Sequence, residues 1–185
     1  MTKQVNPHDL LASLDDYSYQ PQLTARLDAI GGNTSISRET AYEIVLWKLD
    51  RFVEFSDSLI DEINSVASLS LQQRGEARPV LRSLLKTPGI RLPMASTILR
   101  FRNPLCFQII DERAYRQALP KGEAYPAKPQ KLTDGWLSRS ENIYFGYLDR
   151  LDEIARDSGV EFKSLDRALY QADIKAGHKI RKPTA

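Results

Sequence analysis

Apolar residues in this chain recur every three or four positions, and no segment sustains the alternation that marks a half-buried strand. Asn6-Pro7 reads as the N-cap and first residue of a short helix through about Asp15. Pro21 opens another helix, which Gly31-Gly32 should end. Ser37 caps a longer one with Glu39 in its first turn, and Ala41, Ile44, Val45, Leu49 and Phe52 then line one face. After a break near Ser56, Leu59, Ile60, Ile63 and Val66 continue the pattern. A helical stretch from about Leu71 to Lys86 turns Val80, Leu81, Leu84 and Leu85 inward, with a kink or interruption at Pro79.

Thr87-Pro88-Gly89 then makes a turn, and Pro93 suits the first turn of a helix carrying Ala95, Ile98 and Leu99. Asn103-Pro104 stops that helix. A short apolar link, Leu105 to Ile110, leads to Asp111, which starts a helix through about Leu119. Residues 120–135, rich in Pro, Lys and Gly, read as a long loop bordering a cleft together with the N-terminal helices. Ser138 and Glu141 form a capping box for a helix with Tyr144, Leu148, Leu151 and Ile154 on one side. Ser164 caps the last helix, with Leu165, Ala168, Leu169 and Ala172 facing in. The sum is an all-α chain of roughly eight to ten helices.

At 185 residues the chain suits one helical domain, divisible into two lobes. One lobe would be about 38–120, the other 1–35 with 136–175, with 176–185 a basic tail. That tail, from Lys175 through His178, Lys179 and Arg181 to Lys182, has no acidic residue and is a candidate phosphate contact, though such tails more often only solvate. A net charge of +2 says little else about partners. A single cysteine, Cys106, excludes an intrachain disulfide and a cysteine-ligated iron–sulfur cluster, and suggests a buried, inert thiol. Two histidines, His8 and His178, offer no zinc set, so no metal site is expected. No apolar stretch approaches the roughly 18 residues of a membrane helix, and the first residues lack a signal-peptide core. A cytoplasmic protein is the expectation.

The segment richest in chemistry runs from Leu84 through Lys86-Thr87-Pro88-Gly89-Ile90-Arg91 to Ala95-Ser96. Two helices joined this tightly leave backbone N–H groups at the second helix's start, where the positive end of the dipole suits a phosphate. Pro88, Gly89, Ile90 and Ala95 resemble the helix-hairpin-helix motif of the DNA glycosylase superfamily, closest to its 8-oxoguanine-glycosylase-like branch. A second signature of that superfamily is an apolar residue and Asp with Arg five positions later. Ile110, Asp111 and Arg116 supply it, 22 positions beyond Gly89. The matching spans roughly residues 84–116.

The resemblance implies a two-lobed glycosylase fold around a central hairpin, with DNA as partner and no membrane. It implies Asp111 as the catalytic carboxylate, stabilising the sugar cation and activating water. Lys86, Thr87, Gly89, Ile90, Arg91, Ala95, Ser96 and Arg113 become candidate DNA contacts, and the hairpin a candidate seat for a monovalent cation. Two departures matter. The lysine nucleophile of bifunctional members is replaced by Pro93, which excludes a Schiff base there, and the second hairpin glycine by Arg91.

Each of these residues also has a structural reading. Asp111 could simply cap its helix. Arg113 could be an ordinary surface charge, and Arg116 suits burial against a carboxylate or carbonyls. Trp47 reads as core, with a base pocket as the alternative, whereas Trp136, after the loop, is the better candidate for touching substrate. Tyr144, Phe145 and Tyr147 read mainly as packing. Glu112 points away from its neighbour Asp111, so a paired-acid mechanism is not expected. The expected function is a monofunctional DNA N-glycosylase. Its alternatives are a DNA-binding module on the same scaffold and a helical interaction protein.

Overall fold

Serine, threonine and proline set most of the helix starts. The computed structural model describes residues 19–30, 35–121, 124–126, 129 and 131–178, and among these it is all-helical with no strand. The predicted first helix and most of the basic tail lie outside the described residues. The chain divides into two units, Met1–Phe52 and Val53–Ala185. This differs from the expected lobes. Residues 136–175 belong with the hairpin, because the long helix through 134–158 packs on both the helix before the hairpin and the helix that Asp111 starts.

In the N-terminal unit, α1 (Pro21–Asp28) begins on its proline and α2 (Arg38–Lys48) on Ser37, whose hydroxyl accepts from the Thr40 N–H at 3.1 Å. Leu23 of α1 is buried, and Trp47 of α2 meets Tyr19 edge-on at 5.2 Å while its indole N–H donates to Thr24 at 2.9 Å. The expected inward face of α2 is not found. None of its residues is buried, and Ile44, Val45 and Leu49 are exposed; among the described residues α2 meets α1 through the Trp47–Thr24 hydrogen bond and an Arg26–Glu43 ion pair.

The C-terminal unit holds the main core. Ser56 caps α3 (Asp57–Ser65), which buries Leu59 and Ile63 but leaves Ile60 exposed. The stretch predicted to break at Pro79 does so. A 3₁₀ segment, Leu71–Ala77, carries a Ser70–Gln73 capping box, and α4 (Arg78–Lys86) has Pro79 in its first turn, where the missing N–H removes no helical bond. Val80, Leu81, Leu84 and Leu85 face inward as expected. Next come α5 (Leu92–Arg102) with Pro93 in its first turn, and α6 (Glu112–Ala118) capped by Asp111.

The longest helix, α7 (Asp134–Ser158), starts earlier than its Ser138–Glu141 box suggests. Thr133 is the cap, accepting from the Trp136 N–H at 3.2 Å, and Ser138 and Glu141 instead receive Arg82 of α4. Trp136 therefore sits on the first turn of a helix. Tyr144, Leu148 and Leu151 are buried from it. The last helix, α8 (Leu165–Lys175), follows a 3₁₀ turn, and Ser164 makes no side-chain cap. Its inward face is only partly the predicted one: Leu165 is buried and Leu169 packs on the core, but Ala168 and Ala172 are exposed, while Asp166 and Asp173 are buried. Carboxylates occupy that face because three arginines lie opposite them on α5 and α6.

Candidate active site

The hairpin joins α4 to α5 through Thr87–Arg91. Gly89 takes φ +85°, a left-handed conformation that favours glycine, and a Cβ there would lie 3.2 Å from Val53 Cγ2. The Ile90 N–H closes the turn on the Thr87 carbonyl at 3.1 Å. No side chain caps α5, and Ala95 is its first N–H to reach a backbone carbonyl, that of Arg91 at 2.9 Å. The N–H groups of Leu92 and Met94, ahead of it, make no backbone hydrogen bond among the described residues. Lys86 is exposed and Thr87 half-buried, its hydroxyl donating back to the Ser83 carbonyl at 3.0 Å. Arg91 donates through Nη1 to the Ile90 carbonyl at 2.9 Å, which holds its guanidinium against the turn.

Three of the expected contacts have no exposed side chain: those of Ile90, Ala95 and Ser96 are wholly buried, which leaves only their backbone for any contact outside the protein. Ile90 and Ala95 fill the core under the turn. Ser96 instead ties two segments together, its hydroxyl donating to the Pro93 carbonyl at 2.9 Å and accepting the Ile110 N–H at 3.1 Å.

That second bond belongs to a set that fixes the extended link carrying Asp111. Phe107 and Ile110 are buried, and a buried backbone outside helix or sheet must find other partners. Tyr144 and Tyr147 of α7 donate to the carbonyls of Gln108 and Ile109, each at 3.0 Å. The Ile109 N–H donates to Asp166 at 3.3 Å, and the Tyr125 hydroxyl lies 3.5 Å from the Ile110 carbonyl. Burial pushes all three tyrosine phenols up, so they remain O–H donors. The hairpin helix, α7 and α8 thus converge on the residues just before Asp111.

Asp111 emerges from this link at the start of α6. One oxygen, Oδ1, accepts the Ala114 N–H at 2.8 Å; Oδ2 bonds no described residue. The carboxylate borders a cleft of about 290 Å³, whose other walls are Ile109 and, from α8, Asp166, Arg167, Tyr170 and Gln171. Asp166 is engaged there, accepting the Ile109 and Arg167 N–H groups and facing Arg100 at 3.8 Å. Arg167, Tyr170 and Gln171 are exposed. Sequence reading misses the α8 wall, because its residues lie more than fifty positions from Asp111 and no motif marks them.

The wall is held by Asp173, which is fully buried. It accepts from Arg116 at 2.9 and 2.7 Å, from Arg113 at 2.8 Å, from Gln117 at 3.1 Å, and pairs with His178 Nδ1 at 2.9 Å. The Arg116 guanidinium first, then Gln117, His178 and Arg113, hold the carboxyl well below the usual carboxylate range, against its own burial. Arg116 has the structural role expected of it. Arg113 is a correction, since Asp173 and the His178 carbonyl engage its Nη1 and Tyr170 lies under its guanidinium at 5.7 Å. Its charge is neutralised inside the protein rather than offered to DNA.

Trp47 lies in the N-terminal unit, where it packs on Tyr19 and its N–H donates to Thr24. Trp136 lines a second cleft beside the hairpin, with Arg91, Leu92, Pro93, Tyr125 and Pro126. Cys106 is buried, and burial pushes its thiol up. Among the described residues no group of three or more His, Cys, Asp or Glu is placed to hold a metal ion, and no helix is long and apolar enough to cross a membrane. Compared with protein-family models, curated proteins and solved structures, the chain finds no match.

Proposed function

We propose that this protein binds DNA at the hairpin and hydrolyses the N-glycosidic bond of a base displaced into the Asp111 cleft. The observation that carries the reading is the pairing of a half-committed carboxylate with an open, base-sized cleft. Asp111 commits one oxygen to its helix cap and lines the cleft, on a backbone link that four side chains hold in place. In the reaction, the glycosidic electron pair leaves with the base as positive charge builds at C1′, where the carboxylate stabilises it. Water adds its oxygen to C1′, and its proton passes to Asp111. The uncapped start of α5, with Lys86 and Arg91 nearby, holds a backbone phosphate.

With Pro93 at the lysine position, the product is an abasic site and not a cut strand. The reading is tested by binding and base release together. DNA affinity should fall steeply with salt, and Lys86→Ala should flatten that dependence. Base release should disappear in Asp111→Asn. Salt-dependent binding with no release from any altered base would select the alternative reading, a DNA-binding module. Failure to bind duplex or single strands at low salt would leave a helical interaction protein.

A further inference from the structure

The cleft beside the hairpin has a chemistry of its own. It encloses about 190 Å³ between Arg91, Leu92, Pro93, Tyr125, Pro126 and Trp136. Among the described residues its walls are two aromatic rings, two proline rings, one leucine and one guanidinium. Such walls suit a flat group with apolar faces that carries negative charge close by. The volume is below the roughly 300 Å³ at which pockets for drug-sized ligands begin, so it fits one ring system and not a base pair.

Its position supplies the negative-charge partner. Arg91 and Leu92 belong at once to the cleft and to the uncapped start of α5. The Arg91 Nε–H is buried and finds no hydrogen-bond partner among the described residues, so an unsatisfied cationic donor stands in the wall of the cleft. Tyr125 connects the cleft to the reacting centre, since its hydroxyl lies 3.5 Å from the carbonyl of Ile110, the residue before Asp111.

We infer that this second cleft is a stacking site for one unpaired nucleobase, the neighbour of the phosphate held at the hairpin. Resting on the DNA-binding reading, the inference adds that the protein selects DNA with a base already out of the helix. A proline-rich peptide also fits aromatic grooves. The arginine and the open helix start beside the rings favour a nucleotide, because a peptide of that kind has no use for them.

The test uses the full chain with Trp47→Phe, which leaves Trp136 as its sole tryptophan. Its fluorescence is followed while three DNAs are added: an intact duplex, the same duplex with a one-nucleotide bulge, and the single strand. The bulged and single-stranded DNAs should quench Trp136 and the duplex should not, and the bulge should bind about tenfold tighter than the duplex. Trp136→Leu should erase that preference while leaving salt-dependent duplex binding intact, and Trp136→Phe, which keeps an aromatic face, should retain most of it. Equal binding of bulge and duplex without quenching would overturn the inference and leave the DNA-binding reading standing. Loss of binding to every DNA would overturn both, and quenching by a polyproline peptide alone would reassign the cleft.

Discussion

Replacing Asp173 by asparagine removes one buried negative charge and keeps its shape. Two guanidiniums, from Arg113 and Arg116, would then face a neutral amide across the contact between α6 and α8. Breaking a fully buried ion pair by removing one partner costs about 3–5 kcal/mol. Here the arginine side chains keep 15% and 31% of their exposure, so water screens part of the loss. The amide oxygen also keeps one acceptor, which brings the expected cost to about 2–3 kcal/mol. At roughly 2–4 °C per kcal/mol for a chain of this size, the melting temperature at pH 7 should fall by about 4–12 °C.

The pH dependence follows from the same contacts. The native carboxyl titrates below its unfolded value of about 3.9, so its contribution is whole above about pH 5. It is lost as pH falls through the unfolded value toward the native one. Differential scanning calorimetry of wild type and Asp173→Asn between pH 3 and pH 7 should therefore show a gap that narrows toward acid. A variant melting within about 2 °C of wild type at pH 7, or a gap independent of pH, would refute the reasoning.

Other perturbations test other joints of the fold. Gly89→Ala forces a side chain into φ +85° and against Val53, and should cost about 1–2 kcal/mol in urea unfolding, with weaker DNA binding; unchanged stability would contradict the turn geometry. Asn103, buried at the end of α5, donates to the carbonyls of Val66, Ala67 and Leu69 and accepts the Cys106 N–H. Asn103→Ala should lower stability by about 2–3 kcal/mol through those unpaired groups, again read from urea midpoints. The Cys106 thiol should react with a disulfide reagent only on the timescale of unfolding, because burial both shields it and raises its pKa; rapid native reaction at pH 8 would show the packing to be wrong.

Much of the helical framework is legible from single residues whose effect is local. Ser37, Ser56, Pro79, Pro93, Asn103 and Asp111 act on the backbone within a turn of their own positions, and each sits where its chemistry predicts. Ser138 and Glu141 mislead because a capping pair is recognised by spacing alone, and Arg82, more than fifty residues away, is the actual partner of both. The face of α8 is misleading for the same reason. Alanines look apolar in any context, whereas Asp166 and Asp173 are buried only because Arg100, Arg113 and Arg116 lie opposite.

The candidate site divides along the same line. Asp111 is legible as a helix cap and Gly89 as a turn residue. Position in the hairpin suggests a DNA contact for Ser96, and only the packing reveals that its hydroxyl holds Ile110. The walls formed by Tyr170, Gln171 and Tyr125 come from segments that no local pattern connects to Asp111.

Base release by wild type and Asp111→Asn is the most direct test of the central claim. Asparagine caps a helix as well as aspartate and can still accept the Ala114 N–H, so the variant keeps its fold and loses only the charge at the cleft. Duplexes carrying 8-oxoguanine, uracil, hypoxanthine or methylated purines would be incubated with each protein, then treated with hot alkali to cut at abasic sites. The account predicts cleavage of at least one duplex by wild type, slower by about 100-fold or more in Asp111→Asn. Release by Asp111→Asn at the wild-type rate would contradict it.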